Sequence, residues 1–281
     1  MKRRILTLVL ALAVLLLPCT GYCESALKAE PSQSITILLL GVDQVEGQER
    51  NAAAIVIASL NLDTGAVRLA SIDRNTLVKG PGGSDVRLCA TMALGGPELA
   101  LQTVGDLFGL QITRFVSVDL KGMEKIIDAL GGIDIEVREN EINILLADQK
   151  TKAFQKAGMQ TLAGTQALVY MKDHTGEEKG SSHLSRVLAA CMQKGIQMGF
   201  DPLIELVSEL VSFVETNMTL MDMMEVALSA LAAPIKGMET KRFPIDGREE
   251  TIDKETVVHL KDSAAESEAL YAFLYGEAVM P

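Results

Sequence analysis

Tryptophan is absent, and aromatic residues make up only 4% of the 281-residue chain. Stacking platforms for bases or sugar rings are therefore scarce. Three histidines and four cysteines, widely scattered, are too few for a structural zinc module. Positive charge is also in short supply. Lysine and arginine number 26 against 37 aspartates and glutamates, a formal net charge of −11. That is the wrong sign for neutralising a phosphate backbone, which excludes non-specific nucleic-acid binding and makes any basic site local. What is plentiful is apolar: 48% of residues are hydrophobic, 13 of them Met, and 22% are charged. This composition supports a real core and excludes disorder for most of the chain.

The amino end reads Met1, Lys2, Arg3, Arg4, followed by residues 5–17 with Thr7 as the single polar side chain. A charged n-region ahead of an apolar h-region is an export signal. The run falls short of the about 20 residues of a membrane span, and residues 18–22 extend it towards a marginal anchor. Cleavage near Gly21 and retention as an anchor are both open. The cationic flank keeps the amino end cytoplasmic and the remainder outside. Pro18 before Cys19 departs from a lipobox. The expected organisation is a signal peptide or signal anchor over 1–23, a linker over 24–34 and one extracytoplasmic domain over 35–276. Export permits disulfides, and a bridge between Cys89 and Cys191 is left open by their spacing.

Residues 35–41 form an apolar run closed by Gly41, a buried strand. Residues 54–60 and 66–72 are strand-like and joined by Asn61, Asp63, Thr64 and Gly65, which are turn residues of a hairpin. Gly95, Gly96 and Pro97 precede a helix over 99–108 that Gly109 ends. Residues 112–118 predict a strand, Asp119 a cap for a helix running to Leu130, and 133–137 a further strand. Strand, helix, strand, helix, strand is an α/β rhythm. The second half predicts helices over 184–198, 201–214 and from Thr219 with Asp222. An edge strand over 242–245 and a last helix boxed by Ser263 and Glu266 follow. The Leu-, Val-, Ile- and Met-rich helices read either as plain core or as the wall of an apolar tunnel for a long acyl or prenyl chain.

Several segments in order resemble the LytR-CpsA-Psr family of cell-envelope proteins. They are the run Leu38, Leu39, Leu40, Gly41, Val42, Asp43; the hairpin at 55–72; Arg74, Asn75, Thr76; and Gly95, Gly96, Pro97. Val118 to Gly122, Asp128 to Asp134 and Gly158 to Tyr170 continue the match, which covers roughly residues 35–274. The resemblance implies an α/β domain whose central mixed sheet is flanked by helices, with an apolar tunnel between sheet and helices. It implies a protein at the outer face of a bacterial plasma membrane, or secreted, that meets polyprenyl-pyrophosphate-linked glycopolymers and peptidoglycan. In the family Mg²⁺ assists transfer of the glycan phosphate, a reaction that depends on charge neutralisation.

Carried over residue by residue, the resemblance divides. The two carboxylate positions of the family's metal site fall on Ala53 and Asn75. Asp43, Asp73 and Asp85 are the nearby acids that could compensate, Asp43 and Asp73 being the weak metal candidates. The cationic positions persist in Arg74, Arg87, Lys172 and Arg186, with His174 and His183 standing where the family has arginines. Arg74 and Arg186 are the candidate catalytic residues, and all six are candidate pyrophosphate ligands. Cys89 replaces an Asn, and Val187 with Leu188 replace a Gln pair; Cys89 reads as a small buried hydrophobe. His259 has no family counterpart. The expectation is a degenerate member that binds polyprenyl phosphate or anionic glycan with weak or no transfer. The alternatives are an active ligase with relocated acids and a non-enzymatic envelope adaptor. A DNA-binding attenuator conflicts with the export signal and the net charge.

Overall fold

The computed structural model describes residues 27–43, 49–139, 141–142, 157–172, 183–235, 237–252 and 255–276. The strands and helices follow in chain order. Short β1 (Lys28–Ala29) precedes the long β2 (Ser34–Asp43), β3 (Asn51–Asn61) and β4 (Ala66–Ile72), then β5 (Leu77–Lys79) and β6 (Asp85–Arg87). Helix α1 (Thr91–Phe108), β7 (Leu110–Gln111), β8 (Phe115–Asp119), α2 (Leu120–Ala129) and β9 (Ile133–Val137) follow. Next come β10 (Gly158–Leu162), α3 (Gly164–Lys172), α4 (His183–Gln197), α5 (Phe200–Leu210), β11 (Glu215–Thr216) and α6 (Leu220–Ala232). The described chain closes with β12 (Gly237–Phe243), β13 (Gly247–Ile252), β14 (Glu255–Leu260) and α7 (Ser263–Tyr275).

The central sheet has six strands in the order β11-β8-β2-β3-β4-β12. It is mixed: β2 pairs antiparallel with β3 and parallel with β8, and β12 joins β4 in parallel. The registers Ser34↔Asn61 and Gly237↔Ala66 define one edge of the sheet, here the lower edge. The upper edge carries Asp43, Asn51, Ile72 and Phe243. Because side chains alternate along a strand, β2 sends Leu38, Leu40 and Val42 to a core with Phe108 of α1 and Leu270 of α7. Leu39 points to the other face, towards the cavity described below. There α2, α3, α4 and α5 enclose a second core with Ile127, Tyr170, Val187 and Leu206.

Local chemistry explains most element ends. Asn61 accepts from the Asp63 and Thr64 N–H groups, and Gly65, at φ 71°, closes the β3–β4 turn. Asp119 caps α2 by accepting from the Gly122 N–H at 2.7 Å, and Thr219 with Asp222 forms a capping box on α6. Gly109, left-handed at φ 62°, ends α1 as expected.

Three expectations need correction, and the bridge left open between Cys89 and Cys191 is decided. Helix α1 starts earlier, at Thr91, and Gly95 and Gly96 interrupt it with non-helical backbone rather than preceding it. The late strand is β12, longer and earlier than 242–245 because its parallel pairing with β4 runs from Gly237. Helix α7 is capped by Asp262, which accepts from the Ala264 and Ala265 N–H groups. Glu266 instead turns inward and accepts from the Ile245 and Asp246 N–H groups, so Ser263 and Glu266 form no box. Cys89 and Cys191 are both free. They belong to cores on opposite faces of the sheet, which separates the thiols.

Candidate functional site

Between the sheet and the α2–α6 layer lies a cavity of about 350 Å³ with an almost wholly apolar lining. Its floor includes Leu39, Gly41, Ala54 and Val118, and its far wall is α4 with help from α5 and α6. The α4 contributors Leu184, Leu188, Cys191, Gly195 and Ile196 recur at helical spacing along one stripe. From Leu184 to Ile196 that stripe is about 18 Å long at 1.5 Å per residue. Gly41 and Ala54 keep the floor open: a Cβ on Gly41 would meet the Ala54 Cβ at 3.1 Å. Burial in this lining pushes the Cys191 thiol up to about 12. The apolar residues of α4 are thus both core and cavity wall: Val187 and Ala190 pack inward while Leu184 and Leu188 line the space.

The upper edge of the sheet holds the first group of cations. In the β3–β4 register Val56 lies opposite Ser71. Beyond that pair β4 ends at Ile72 and the chain turns, the Thr76 N–H donating to the Asp73 carbonyl at 3.0 Å, so Arg74 stands in a turn at the upper edge. Arg74 is exposed, and its carbonyl accepts from the Cys89 N–H at 2.9 Å. The Leu88 N–H likewise donates to the Thr76 carbonyl at 2.8 Å, which brings the backbone after Arg87 beside the Arg74 turn; burial raises the Cys89 thiol despite the opposing charges of Arg87 and Arg74. Arg87 is paired with Glu255 at 2.8 Å. Cys89 itself is a buried core residue, as read from the sequence. At the same edge Arg50 pairs with Glu215 at 2.5 Å and ties the start of β3 to β11.

The acids described at this edge do not fit a Mg²⁺ site. Mg²⁺ asks for carboxylate oxygens free to bind, whereas Ala53 has none and Asn75 carries no charge. Asp73 is committed, accepting from the Asn75 N–H at 2.9 Å and pairing with Arg242 at 2.5 Å. Asp85 pairs with Lys79 at 2.6 Å. The side chain of Asp43 lies outside the described residues. Among the described residues no three His, Cys, Asp or Glu side chains are grouped to hold a metal.

The second group of cations is organised by a residue that the sequence reading missed. Glu141 is 2% exposed and accepts from the Arg138 N–H at 2.9 Å, the Tyr170 hydroxyl at 3.2 Å, His183 Nε2 at 3.1 Å and Arg186 Nη1 at 2.8 Å. Burial acts to raise its carboxyl. The donations from Arg138 and His183, with the charge of Arg186, outweigh that and hold it below the usual carboxylate range. Arg186 also donates to the Glu136 carbonyl and lies over the Tyr170 ring at 5.3 Å. The Tyr170 and His183 rings are 4.3 Å apart. Burial, and then Glu141, drive the Tyr170 hydroxyl upward.

The predicted cations therefore fall into two settings. Arg74 and Arg87 share the surroundings of Cys89, while His183 and Arg186 meet on Glu141. Neither pair is among the residues that line the cavity. His174 and the Lys172 side chain lie outside the described residues. His259 Nε2 lies 3.2 Å from Glu250 Oε2 on the β13–β14 hairpin without hydrogen-bond geometry. The Glu141 contacts with Tyr170, His183 and Arg186 span 29 to 45 residues, so no local spacing signals them; the Arg138 N–H, three residues away, is its one local partner among these four.

Comparison with known proteins places this architecture. The model of the LytR_cpsA_psr family matches residues 22–269. Biofilm regulatory protein A of Streptococcus mutans is 30% identical over 150 residues, 49% of this chain and 37% of that protein. The chain thus spans little more than a third of that relative. The polyisoprenyl-teichoic acid–peptidoglycan teichoic acid transferase TagU of Oceanobacillus iheyensis is 27% identical over 237 residues, 78% of this chain and 69% of TagU. Among solved structures, TagT bound to LI-WTA superposes with a TM-score of 0.68 at 21% identity, covering 86% of this chain and 91% of TagT. Protein gbs0355 from Streptococcus agalactiae gives 0.70 at 23% identity, covering 86% and 88%. At these identities the structural likeness is one of fold, and the family rests on the sequence model that spans most of the chain. This chain belongs to the LytR-CpsA-Psr family.

Proposed function

We propose that the protein is a cell-envelope member of this family that binds a polyprenyl phosphate, or the glycopolymer it carries, without metal-dependent transfer. The observation that carries the reading is the apolar cavity whose lining reaches Gly41 and Ala54 near the upper edge of the sheet, the edge at which the chain leaves β4 and turns at Asp73–Thr76 with Arg74 exposed. A prenyl chain fits the cavity because it asks only for apolar contact. Its phosphate then meets Arg74 and Arg87, cations suited to phosphate oxygens. The relatives named as teichoic acid transferases support a glycopolymer as the cargo. Ala53, Asn75 and the committed Asp73 support binding without transfer, because a phosphoryl group in flight needs its charge neutralised. The apolar run at 5–17 supports work at the outer face of the membrane.

The full chain in detergent, titrated with a polyprenyl phosphate in Mg²⁺ and again in EDTA, tests the reading. Equal binding in both is expected, with Arg74→Ala and Arg87→Ala each weakening it about tenfold, the scale of one charge-assisted hydrogen bond. Absence of binding overturns the ligand. Mg²⁺-dependent transfer from a lipid-linked glycopolymer to peptidoglycan overturns the non-catalytic part.

A further inference from the structure

Helix α6 is apolar apart from Asp222, Glu225 and Ser229 and buries none of its 13 residues. Met221 is 73% exposed, Leu220 44% and Leu228 37%. Met221 and Leu228 are seven residues apart and share a face. The opposite face closes the cavity through Ala227 and Ala230. The helix is therefore a single layer between the apolar cavity and the outside.

Both ends of α6 sit at the lower edge of the sheet. Just before it, Asn217 donates to the Thr113 carbonyl and accepts from the Phe115 N–H, below β8. Just after it, Pro234 packs on the β3–β4 turn, where a Cβ on Gly65 would meet the Pro234 carbonyl oxygen at 2.2 Å. The start of the described chain lies at the same edge. Glu30 pairs with Arg114 at 2.9 Å, and Glu30 and Ser34 line a groove with Asp222 and Ser229 of α6. Between the end of the apolar run at Leu17 and Leu27 are nine residues, a stretch of ten Cα steps that reaches at most about 35 Å when extended. Arg74, Asn75 and the β13–β14 hairpin mark the other end: Thr76 bridges Val258, and the Val258 N–H donates to the Asn75 carbonyl.

We infer that α6 is the lipid-facing surface of the protein, with Met221 and Leu228 seated in the outer leaflet of the bilayer beside the amino-terminal segment. The inference rests on the reading of the cavity as a prenyl site and adds its orientation: phosphate end up at Arg74, tail end down at α6. The partner is a bilayer surface engaged by apolar contact. Glu225, exposed between Met221 and Leu228 on the same face, and Asp222 supply no attraction for anionic headgroups, so the contact is a shallow apolar one made by Met221 and Leu228 at the headgroup–acyl boundary, where the Glu225 carboxylate stays hydrated.

The absence of tryptophan makes the test direct. The full chain carrying Met221→Trp, or Ile252→Trp at the tip of β13, is added to phosphatidylcholine vesicles containing a shallow doxyl-labelled lipid. Met221→Trp should shift to the blue and lose on the order of half its emission, as expected for a side chain at the headgroup–acyl boundary. Ile252→Trp should do neither. Equal solvent exposure of both, in chain that still floats with vesicles, overturns the docking and leaves attachment to the amino-terminal segment. A blue-shifted Met221→Trp before vesicles are added also overturns it, since α6 would then be covered by that segment or by a second copy. Polyprenyl phosphate binding by the same variant in detergent reports separately on the cavity. Binding there without docking would remove the orientation alone, and docking without binding would remove the ligand reading alone.

Discussion

Glu141 shows how a single side chain can decide what an arginine is free to do. In the resemblance Arg186 is a phosphate ligand, yet here its guanidinium is shared between the Glu141 carboxylate and the Glu136 carbonyl. A buried carboxylate with four donors is stable only while all of them remain, since removing one member of a buried pair leaves an uncompensated charge. Glu141→Ala should therefore cost about 3 kcal/mol at neutral pH, measured by urea unfolding. Glu141→Gln should cost less, because the amide oxygen still accepts. The sign with pH follows from the depressed carboxyl: its contribution is full above the ordinary value of 4.5 and is lost as pH falls through the lower folded value. The stability gap between wild type and Glu141→Gln should thus narrow on acidification below about pH 4.5. A gap that widens there would mean that the carboxyl is protonated in the folded protein.

At the scale of elements, the parts that could be read from sequence were those written in short-range chemistry. The Asn61–Gly65 turn, the Asp119 cap, the Thr219–Asp222 box and the strand Ile133–Val137 all stand where the residues put them. What stayed hidden depends on distant partners. Glu266 satisfies the strict spacing of a capping box but is drawn to the Ile245 and Asp246 amides, some twenty residues away. The β13–β14 hairpin, with charged or polar side chains over most of its length, offered little hydrophobic alternation. Periodicity likewise placed the apolar stripe of α4 without showing that it faces an open space. That stripe makes a clean test of the wall. Cys191→Trp should fill much of the cavity and abolish polyprenyl phosphate binding, while the thermal midpoint stays close to wild type because the ring enters existing space instead of displacing packed atoms. Retained affinity would show that the ligand lies elsewhere.

Across the whole molecule, charge and hydrophobicity pull in opposite directions at a membrane. A protein of net charge −11 is repelled by an anionic leaflet, and at 10 mM salt that repulsion reaches about 30 Å. At 150 mM the screening length falls to about 8 Å, whereas burial of Met221 and Leu228 in acyl chains is not screened because it is not electrostatic. The α6 contact should therefore strengthen with added salt on phosphatidylglycerol vesicles and stay nearly constant on phosphatidylcholine. Quenching of Met221→Trp reports that contact directly, independent of how the amino-terminal segment with Lys2, Arg3 and Arg4 engages the same vesicles. A protein docking through a basic patch behaves in the opposite way, releasing as salt rises. Loss of quenching between 10 and 150 mM salt on anionic vesicles would assign the contact to local cations, and α6 would then no longer define which end of the cavity faces the bilayer.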